Sequence, residues 1–163
     1  MNTKKQSGCF VWGTKITMAD KSEMNIEDLD RENEVLTYNE ITGEQEVKKI
    51  AGIRRYASNH IVTYELSDET ILQCTEDHPI YVNGLGIASY DPTSTEERYD
   101  VGTDEEERAV SLIKEGDKVK SLDGEELEIT AIISNDLKEV PTCIIEVVDN
   151  HNFYANKILV HNK

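Results

Sequence analysis

The apolar side chains of this chain recur in short β-branched runs, and amphipathic helical repeats are scarce. Two of the clearest runs, residues 61–66 (IVTYEL) and 143–148 (CIIEVV), are bounded by Gly, Asn and Asp, a pattern typical of strands. Turn signals between apolar segments predict hairpins at Thr42-Gly43, Asn83-Gly84 and Asp123-Gly124. The pattern therefore predicts an all-β domain built from many short strands.

Two segments have the apolar spacing of a single helical turn. Residues 25–29 would turn Ile26 and Leu29 inward, and residues 110–113 would form a second turn. We therefore expect one or two short helical turns beside the strands.

A weak internal repeat relates the two halves of the chain. An apolar segment, an acidic residue near a valine, a turn glycine and a second apolar strand occur in the same order twice, at residues 26–53 and 112–133. Each copy is followed by a β-run that reaches a histidine, His78 in the first half and His151 in the second. Two copies related by a pseudo-two-fold axis would bring both chain ends together near the middle. Chance similarity between β segments is the alternative interpretation.

The composition indicates one acidic domain. With 163 residues, of which 37% are hydrophobic, the chain can bury a single core. Its 33 acidic and 17 basic side chains give a formal net charge of -16, which would repel a phosphate backbone, so we expect no nucleic-acid partner. Residues 85–108, which are polar and largely acidic, separate the two copies, and we interpret them as a flexible acidic insertion.

No segment predicts membrane association, a disulfide framework or a metal site. The apolar stretches are short, and residues 1–8 lack the apolar core of a signal peptide. Cys9, Cys74 and Cys143 lie far apart without a CxxC pair, so neither paired cysteines nor a structural zinc ion is indicated. We expect a monomer that needs no cofactor, and the sequence indicates no cellular location of its own.

Chemically reactive residue types lie near both ends of the chain and after one of its central β-runs. Cys9 stands close to the start, Thr75-Glu76-Asp77-His78 follows a β-run, and His161-Asn162 follows the last apolar segment. A lone cysteine is usually a small buried hydrophobic residue. The combination of all three motifs weighs against that interpretation of Cys9.

From Cys9 to Asn162 the sequence resembles the intein and Hint (hedgehog-intein) family, and in particular bacterial intein-like domains without an endonuclease. Four motifs match in order: Cys9 with Phe10, Gly13, Thr14 and Ile16; Thr75-x-x-His78-Pro79; residues 148–154 (VDNHNFY) running on to Val160; and His161-Asn162. The resemblance implies a Hint-type horseshoe of short strands. It also implies three parts: an upstream flanking segment at residues 1–8, a self-processing domain at 9–162, and a downstream flanking residue, Lys163.

The resemblance implies an N–S acyl shift at the Gly8-Cys9 bond. The Cys9 sulfur would attack the preceding carbonyl carbon and convert the amide into a thioester. His78, with a pKa near neutrality, would protonate the departing amine, and Thr75 would hold the developing oxyanion. Asp77 and Cys143 are further candidates, as modulators: Cys143 would in part replace an aspartate that coordinates the two cleavages in many inteins, with core packing as its alternative role.

At the other junction the resemblance implies cyclisation of Asn162. Its side-chain nitrogen would attack its own backbone carbonyl carbon, form a succinimide and release Lys163 without an external nucleophile. His161 and His151 are the candidates to protonate the leaving amine and activate the amide. The expected partners are the flanking polypeptides of the chain itself, the exteins, and the cellular location would follow the host protein.

Three departures from the family pattern affect the expected outcome. Lys163 has neither a hydroxyl nor a thiol group, which excludes the ordinary branched intermediate and favours N- and C-terminal cleavage, with inefficient ligation or splicing as a residual route. Ile144 occupies a position where many inteins have an aspartate that coordinates the two cleavages. The insertion at 85–108 is too short and too acidic for a homing endonuclease.

Two other classes of function remain alternatives. Cys9, His78 and Asn162 could form a Cys-His-Asn cysteine protease that acts in trans. A non-catalytic, acidic β-rich binding module would make the motifs coincidental. A protease would keep turning over added peptides, whereas a Hint domain would process only its own chain, once.

Overall fold

The computed structural model describes residues 8–98, 109–135 and 138–162, and within them the fold is almost entirely β. One α-helix, α1 (Pro92–Arg98), and one 3-10 turn (Ile26–Asp28) accompany the strands. The strands are β1 (Phe10–Val11), β2 (Lys15–Thr17), β3 (Glu23–Asn25), β4 (Glu34–Asn39), β5 (Glu44–Ser58), β6 (Ile61–Leu66), β7 (Ile71–Thr75), β8 (Ile80–Val82), β9 (Gly86–Ser89), β10 (Ser111–Leu112), β11 (Lys118–Lys120), β12 (Glu126–Asn135), β13 (Val140–Val147), β14 (Asn152–Ala155) and β15 (Ile158–His161). The predicted all-β class is confirmed.

The three predicted hairpins are present. The pairs β4–β5, β8–β9 and β11–β12 are antiparallel, and each contains one of the predicted turns. Gly43 and Gly124 have φ values of 76° and 84°, in the left-handed region that glycine adopts at little cost. The residues of each turn, acting over a few positions, therefore determine where these hairpins form.

Strand pairing shows the internal repeat in three dimensions. The strands β4, β5 and β6 of the first copy correspond in order to β11, β12 and β13 of the second. The long strand β5 pairs with β13 of the other copy, and β12 pairs reciprocally with β6. Each copy therefore completes the sheet of the other, and the predicted pseudo-two-fold repeat is confirmed.

One of the two predicted helical turns is confirmed and the other is wrong. The 3-10 turn at Ile26–Asp28 buries Ile26 and Leu29, as expected. Within residues 110–113, Ser111 and Leu112 form β10 instead, parallel to β9. Pairing with an available strand edge overrides the weak helical preference of four residues.

Residues 85–108, predicted to be a flexible acidic insertion, contain regular structure in their described part. The first part includes β9, which pairs with β8, and the next part forms the seven-residue helix α1. Residues 99–108 lie outside the described residues. Among the described residues, no helix has the length and apolarity needed to cross a membrane.

The core brings the two ends of the domain to one region. Strand β1 lies between β7 and β13, where Phe10 is opposite both Cys74 and Cys143. Strand β15 lies between β14 and β8. The ring of Phe10 contacts that of Phe153 in β14, with centroids 5.8 Å apart. The first and last strands of the domain therefore share one hydrophobic core.

Candidate active site

The first two sequence motifs meet at the start of β1. The backbone N–H of Cys9 donates to Thr75 Oγ1 at 3.0 Å, and the backbone N–H of Thr75 donates to the Cys9 carbonyl oxygen at 2.8 Å. Both residues are buried. Since Thr75 ends β7, this pair of hydrogen bonds extends the β1–β7 pairing and aligns the amide nitrogen of Cys9 with the threonine hydroxyl.

His78 lies in the turn after β7 and is fully buried. Its backbone N–H donates to the Thr75 carbonyl oxygen at 3.0 Å, and its ring packs against Phe10 with centroids 4.2 Å apart. Neither ring nitrogen makes a hydrogen bond of good geometry with a described residue. The backbones of Gly8 and His161 nevertheless lie close enough to raise its pKa against the effect of burial. One imidazole is therefore near both junctions.

Burial is the dominant influence on His78. It lowers the pKa of the imidazole from 6.5 to about 3, and the charge of His161 lowers it further. The pKa near neutrality expected from the sequence is therefore wrong for the folded chain, because an imidazolium ion enclosed by apolar groups loses its hydration. At pH 7 the ring is neutral, with one nitrogen able to donate and the other able to accept.

The Cys9 thiol is also held in its neutral form. Burial raises its pKa to about 12, a hydrogen bond with Thr142 opposes this effect, and the nearby carboxylate of Asp77 adds to it. Only the thiolate is strongly nucleophilic. Attack by Cys9 therefore requires a group that removes the thiol proton.

The residue before Cys9 has a restricted conformation. Gly8 is buried, its φ is 73°, and its backbone N–H donates to Asp77 Oδ1 at 3.2 Å. Side-chain-bearing residues rarely adopt this left-handed conformation, whereas glycine does so readily. The backbone on both sides of the Gly8-Cys9 bond is therefore held by the Thr75–His78 motif.

Asn162 follows β15 and is held by backbone carbonyl groups. Its N–H donates to the His151 carbonyl oxygen at 2.8 Å, and its Nδ2 donates to the Ile145 carbonyl oxygen at 3.0 Å. Its Oδ1 atom is buried and accepts no hydrogen bond from the described residues. These contacts fix both the backbone and the side-chain nitrogen of the residue expected to cyclise.

His161 is bound to a residue that the sequence motifs did not indicate. Its Nδ1 lies 3.1 Å from the hydroxyl oxygen of Tyr81 in β8, at hydrogen-bonding distance. Burial lowers the pKa of His161 to about 4, and the charge of His151 lowers it further. His151 itself is exposed and contributes its carbonyl group, rather than its ring, to the contact with Asn162.

The structure thus groups the predicted residues around two junctions. Cys9 and Thr75 are hydrogen-bonded at one, and His151 and Asn162 at the other, with His78 near both. Cys143 lies beside the first junction: it is buried opposite Phe10, it is close enough to Cys9 to raise the pKa of that thiol, and its own thiol donates to the Ile26 carbonyl oxygen at 3.8 Å. Lys163 lies outside the described residues.

Tyr81 and Thr142 are the site residues that sequence reasoning missed. Tyr81 stands three residues after His78, and Thr142 precedes Cys143, so only proximity to motif residues could have indicated them. Ile144, at the position of the family aspartate, lies opposite Arg54 in the sheet. The polar side chain that β13 presents to the Cys9 thiol is Thr142. Within the described part of the chain, no group of three or more His, Cys, Asp or Glu side chains is arranged to hold a metal ion.

Solved intein structures are similar to this chain over nearly its whole length. The bacterial intein-like domain from Clostridium thermocellum has a TM-score of 0.75 and 22% identity, and the match covers 96% of this chain and 100% of that one. For the DnaB intein from Synechocystis sp. PCC 6803 the TM-score is 0.71 and the identity 18%, with 96% and 99% covered. For the DnaX mini intein from Spirulina platensis the TM-score is 0.71 and the identity 22%, and the match covers 94% of this chain and 99% of that one. The Hint-type fold expected from the sequence is confirmed.

A family model gives a second, partial match that the motifs did not predict. Residues 10–107 match the Ataxin-1 and HBP1 module (AXH), a segment that includes Thr75 and His78 but neither Cys9 nor Asn162. No curated protein sequence matches the chain. By its family model the chain belongs to the Ataxin-1 and HBP1 module (AXH) family over residues 10–107, and as a whole it is a domain of the intein (Hint) fold.

Proposed function

We propose that the chain is a single-turnover, self-processing domain that cleaves its own backbone before Cys9 and after Asn162. Residues 9–162 form the processing unit, and residues 1–8 and Lys163 belong to the flanking polypeptides. The observation that supports this most is the position of His78, a neutral, buried imidazole near the backbones of Gly8 and His161. A single proton-transfer group is thus within reach of both reactions.

The first reaction converts the Gly8-Cys9 amide into a thioester. The Cys9 sulfur bonds to the Gly8 carbonyl carbon, the C–N bond breaks, and the thiol proton moves to the departing nitrogen, so no proton is gained or lost overall. Neutral His78 accepts the proton from sulfur and delivers it to nitrogen. A thiol with a pKa of about 12 keeps its proton at neutral pH, so that proton has to be transferred within the site during the reaction.

Thr75 acts at the same bond. Its hydroxyl oxygen accepts the Cys9 N–H at 3.0 Å, so in the uncleaved chain it contacts the leaving nitrogen. This hydrogen bond fixes the orientation of the scissile amide. That the Thr75 hydroxyl also donates to the developing oxyanion stays a prediction.

The second reaction removes the downstream polypeptide. Asn162 Nδ2 bonds to the carbonyl carbon of its own residue, the bond to the Lys163 nitrogen breaks, and a proton from Nδ2 passes to that nitrogen. The Ile145 carbonyl oxygen accepts from Nδ2 at 3.0 Å and so restricts the rotation of the carboxamide. The products are a C-terminal succinimide and a free amine.

Tyr81 determines which nitrogen of His161 is protonated. Burial keeps the pKa of the Tyr81 phenol above its ordinary value, so the hydroxyl is neutral, and we assign it as the donor to His161 Nδ1, 3.1 Å away. The ring proton of neutral His161 then lies on Nε2, which can donate to a carbonyl oxygen at the Asn162 junction. Tyr81 is therefore a positioning residue for the second reaction.

A Tyr81→Phe variant tests this role. We expect release of the downstream polypeptide to slow by about tenfold, because His161 loses the partner that orients its ring and selects its tautomer. The pH profile of downstream release should shift to higher pH, since the lost hydrogen bond favoured the neutral imidazole of His161. Thiol-induced cleavage before Cys9 should not change.

Tyr154→Phe is the matched control for this prediction. It makes the same chemical change in the adjacent hairpin, where the Tyr154 hydroxyl is 3.5 Å from Gln45 Nε2 and outside the site. Equal rates of downstream release from the Tyr81 and Tyr154 variants would contradict the proposed role of Tyr81.

The proposed function itself is tested with a different fusion protein at each end of the chain. Dithiothreitol should release the upstream fusion and leave Cys9 as a new N-terminus, detected by intact mass and N-terminal sequencing. Cys9→Ala should abolish this release, whereas Cys74→Ala, a change at a buried cysteine of β7, should not. Folded wild-type protein that stays intact after prolonged incubation would rule out the proposal.

The structure does not favour the protease alternative. Cys9 and His78 are both fully buried, so an added peptide could reach neither without local opening of the fold. Asn162 Nδ2 donates to the Ile145 carbonyl oxygen, and neither His78 ring nitrogen has a hydrogen bond to a described residue, as an orienting asparagine would require. Turnover of a separate peptide in the same experiment would reverse this assessment.

A further inference from the structure

Asp77 connects the first junction to α1. Its Oδ1 accepts the Gly8 N–H at 3.2 Å, and its Oδ2 accepts from the Ser94 hydroxyl at 3.4 Å. Its backbone carbonyl oxygen accepts from the Thr95 hydroxyl at 2.8 Å. Asp77 is only 4% exposed, so this carboxylate is held almost entirely by protein groups.

Hydrogen bonds join α1 both to β9 and to the turn that contains Asp77. Thr95 is 1% exposed, and its Oγ1 also lies 2.6 Å from Ser89 Oγ in β9. Because a hydroxyl group has one proton, Thr95 can donate to Asp77 while it accepts from Ser89. The start of the helix is attached to the same turn, since the Asp91 N–H donates to the Glu76 carbonyl oxygen at 2.9 Å.

We propose that α1 is part of the N-terminal reaction site: Ser94 and Thr95 fix Asp77, which in turn holds the Gly8-Cys9 linkage in its reactive orientation. The proposal rests on the self-processing function above. It assigns α1, which lies within the predicted insertion at 85–108, to that function. Asp77, Ser94 and Thr95 are positioning residues in this arrangement, because none of them supplies a reacting atom.

The geometry gives the physical reason. Gly8 and Cys9 each donate their N–H to one side chain of the same motif, Asp77 and Thr75, so one hydrogen bond holds the scissile peptide and the other holds the peptide before it. A bond to a buried carboxylate is stronger than one between neutral groups. Without Ser94 and Thr95 the Asp77 turn could shift, and a displacement of about 1 Å at a reacting bond can cost on the order of 100-fold in rate.

The network contacts only one of the two junctions. Asn162 is held by the carbonyl groups of His151 and Ile145, which belong to the second half of the chain. Changes at Ser94 or Thr95 should therefore slow thioester formation strongly and succinimide formation much less, since among the described residues only His78, next to Asp77, connects this network to the second junction. Downstream release in the same molecule then reports whether a variant is folded.

The test compares Thr95→Val, which keeps the side-chain shape and removes the hydroxyl, with Thr95→Ser, which restores it. We expect Thr95→Val to reduce the rate of dithiothreitol-induced cleavage about tenfold and Thr95→Ser to recover most of it. Thr93→Val changes an exposed hydroxyl of the same helix and should match the wild type. Ser94→Ala is a second variant with a milder expected effect in the same direction.

Amide hydrogen exchange at Gly8 provides a readout that does not require cleavage. Exchange should be faster in Thr95→Val than in the wild type and in Thr93→Val, because the Gly8 N–H loses its fixed acceptor. Unchanged exchange and unchanged cleavage in Thr95→Val would overturn the role of α1. A wild-type chain that does not cleave, but whose Gly8 exchange responds to Thr95→Val, would count against the proposed function and leave the positioning contact in place.

Discussion

Replacing Asn162 with alanine is expected to abolish release of the polypeptide that follows the domain. The wild-type side chain is 1% exposed, and its nitrogen is held by the Ile145 carbonyl oxygen at 3.0 Å. Well-oriented intramolecular groups reach effective molarities on the order of 10⁵ M or more, and water cannot replace such a nucleophile. Release should therefore fall by at least about 1,000-fold.

Intact-mass analysis of a downstream fusion measures this effect. Wild-type protein should yield a C-terminal succinimide or its hydrolysis product, and Asn162→Ala should keep the fusion attached. Asn156→Gly is a suitable control, because Asn156 has a φ of 48° at the far end of the β14–β15 hairpin and its side chain contacts Lys15 and Ile71 instead of the site. Thiol-induced cleavage before Cys9 should persist in both variants. Downstream release from Asn162→Ala at the wild-type rate would exclude cyclisation.

A His78→Gln variant is expected to slow cleavage before Cys9 by about 100- to 10,000-fold. Glutamine can form hydrogen bonds in the space of the imidazole, but it cannot take a proton from sulfur and deliver it to nitrogen. Downstream release should also slow, by less, because His78 lies near the His161 backbone but makes no hydrogen bond to the Asn162 carboxamide. The rate of fragment release at saturating dithiothreitol measures the first effect.

The pH dependence of the same variant separates proton transfer from a structural role. Because the pKa of His78 is about 3, the imidazole is neutral throughout the neutral range, and the wild-type rate should be nearly constant between about pH 6 and 8. With a Cys9 thiol pKa of about 12, a reaction that depends on spontaneous thiolate should accelerate about tenfold per pH unit, as expected for His78→Gln. Parallel profiles for the two proteins would indicate that His78 only packs.

The two halves of the chain contribute unequally to the two reactions. The N-terminal junction is held by Thr75 and Asp77 from the first half and, through Asp77, by α1 from the segment between the two copies. Asn162 is held by carbonyl groups of the second half, and Tyr81 reaches His161 from the first. Substitutions should therefore separate the two cleavages readily, with His78 as the residue whose loss affects both.

The sequence by itself determined the features that depend on near neighbours in the chain. The turns at Gly43 and Gly124 and the strand β6 follow from turn residues and alternating side chains, which act over a few positions. The internal repeat and the order of the motifs were also readable, and they predicted the Hint-type fold. Helix and strand preferences are nearly equal over four residues, so the sequence did not distinguish the strand β10 at residues 111–112 from a helical turn.

Only the tertiary structure decided the properties that depend on residues distant in sequence. Gly8 and Asp77 are 69 positions apart, and Tyr81 and His161 are 80 apart, yet each pair is hydrogen-bonded because strands of both copies share one core. The same packing removes water from His78 and lowers its pKa to about 3, far from the value expected for a free histidine. Residue types establish which reactions are chemically possible, whereas burial and contact geometry, which exist only after folding, set the protonation states and orientations.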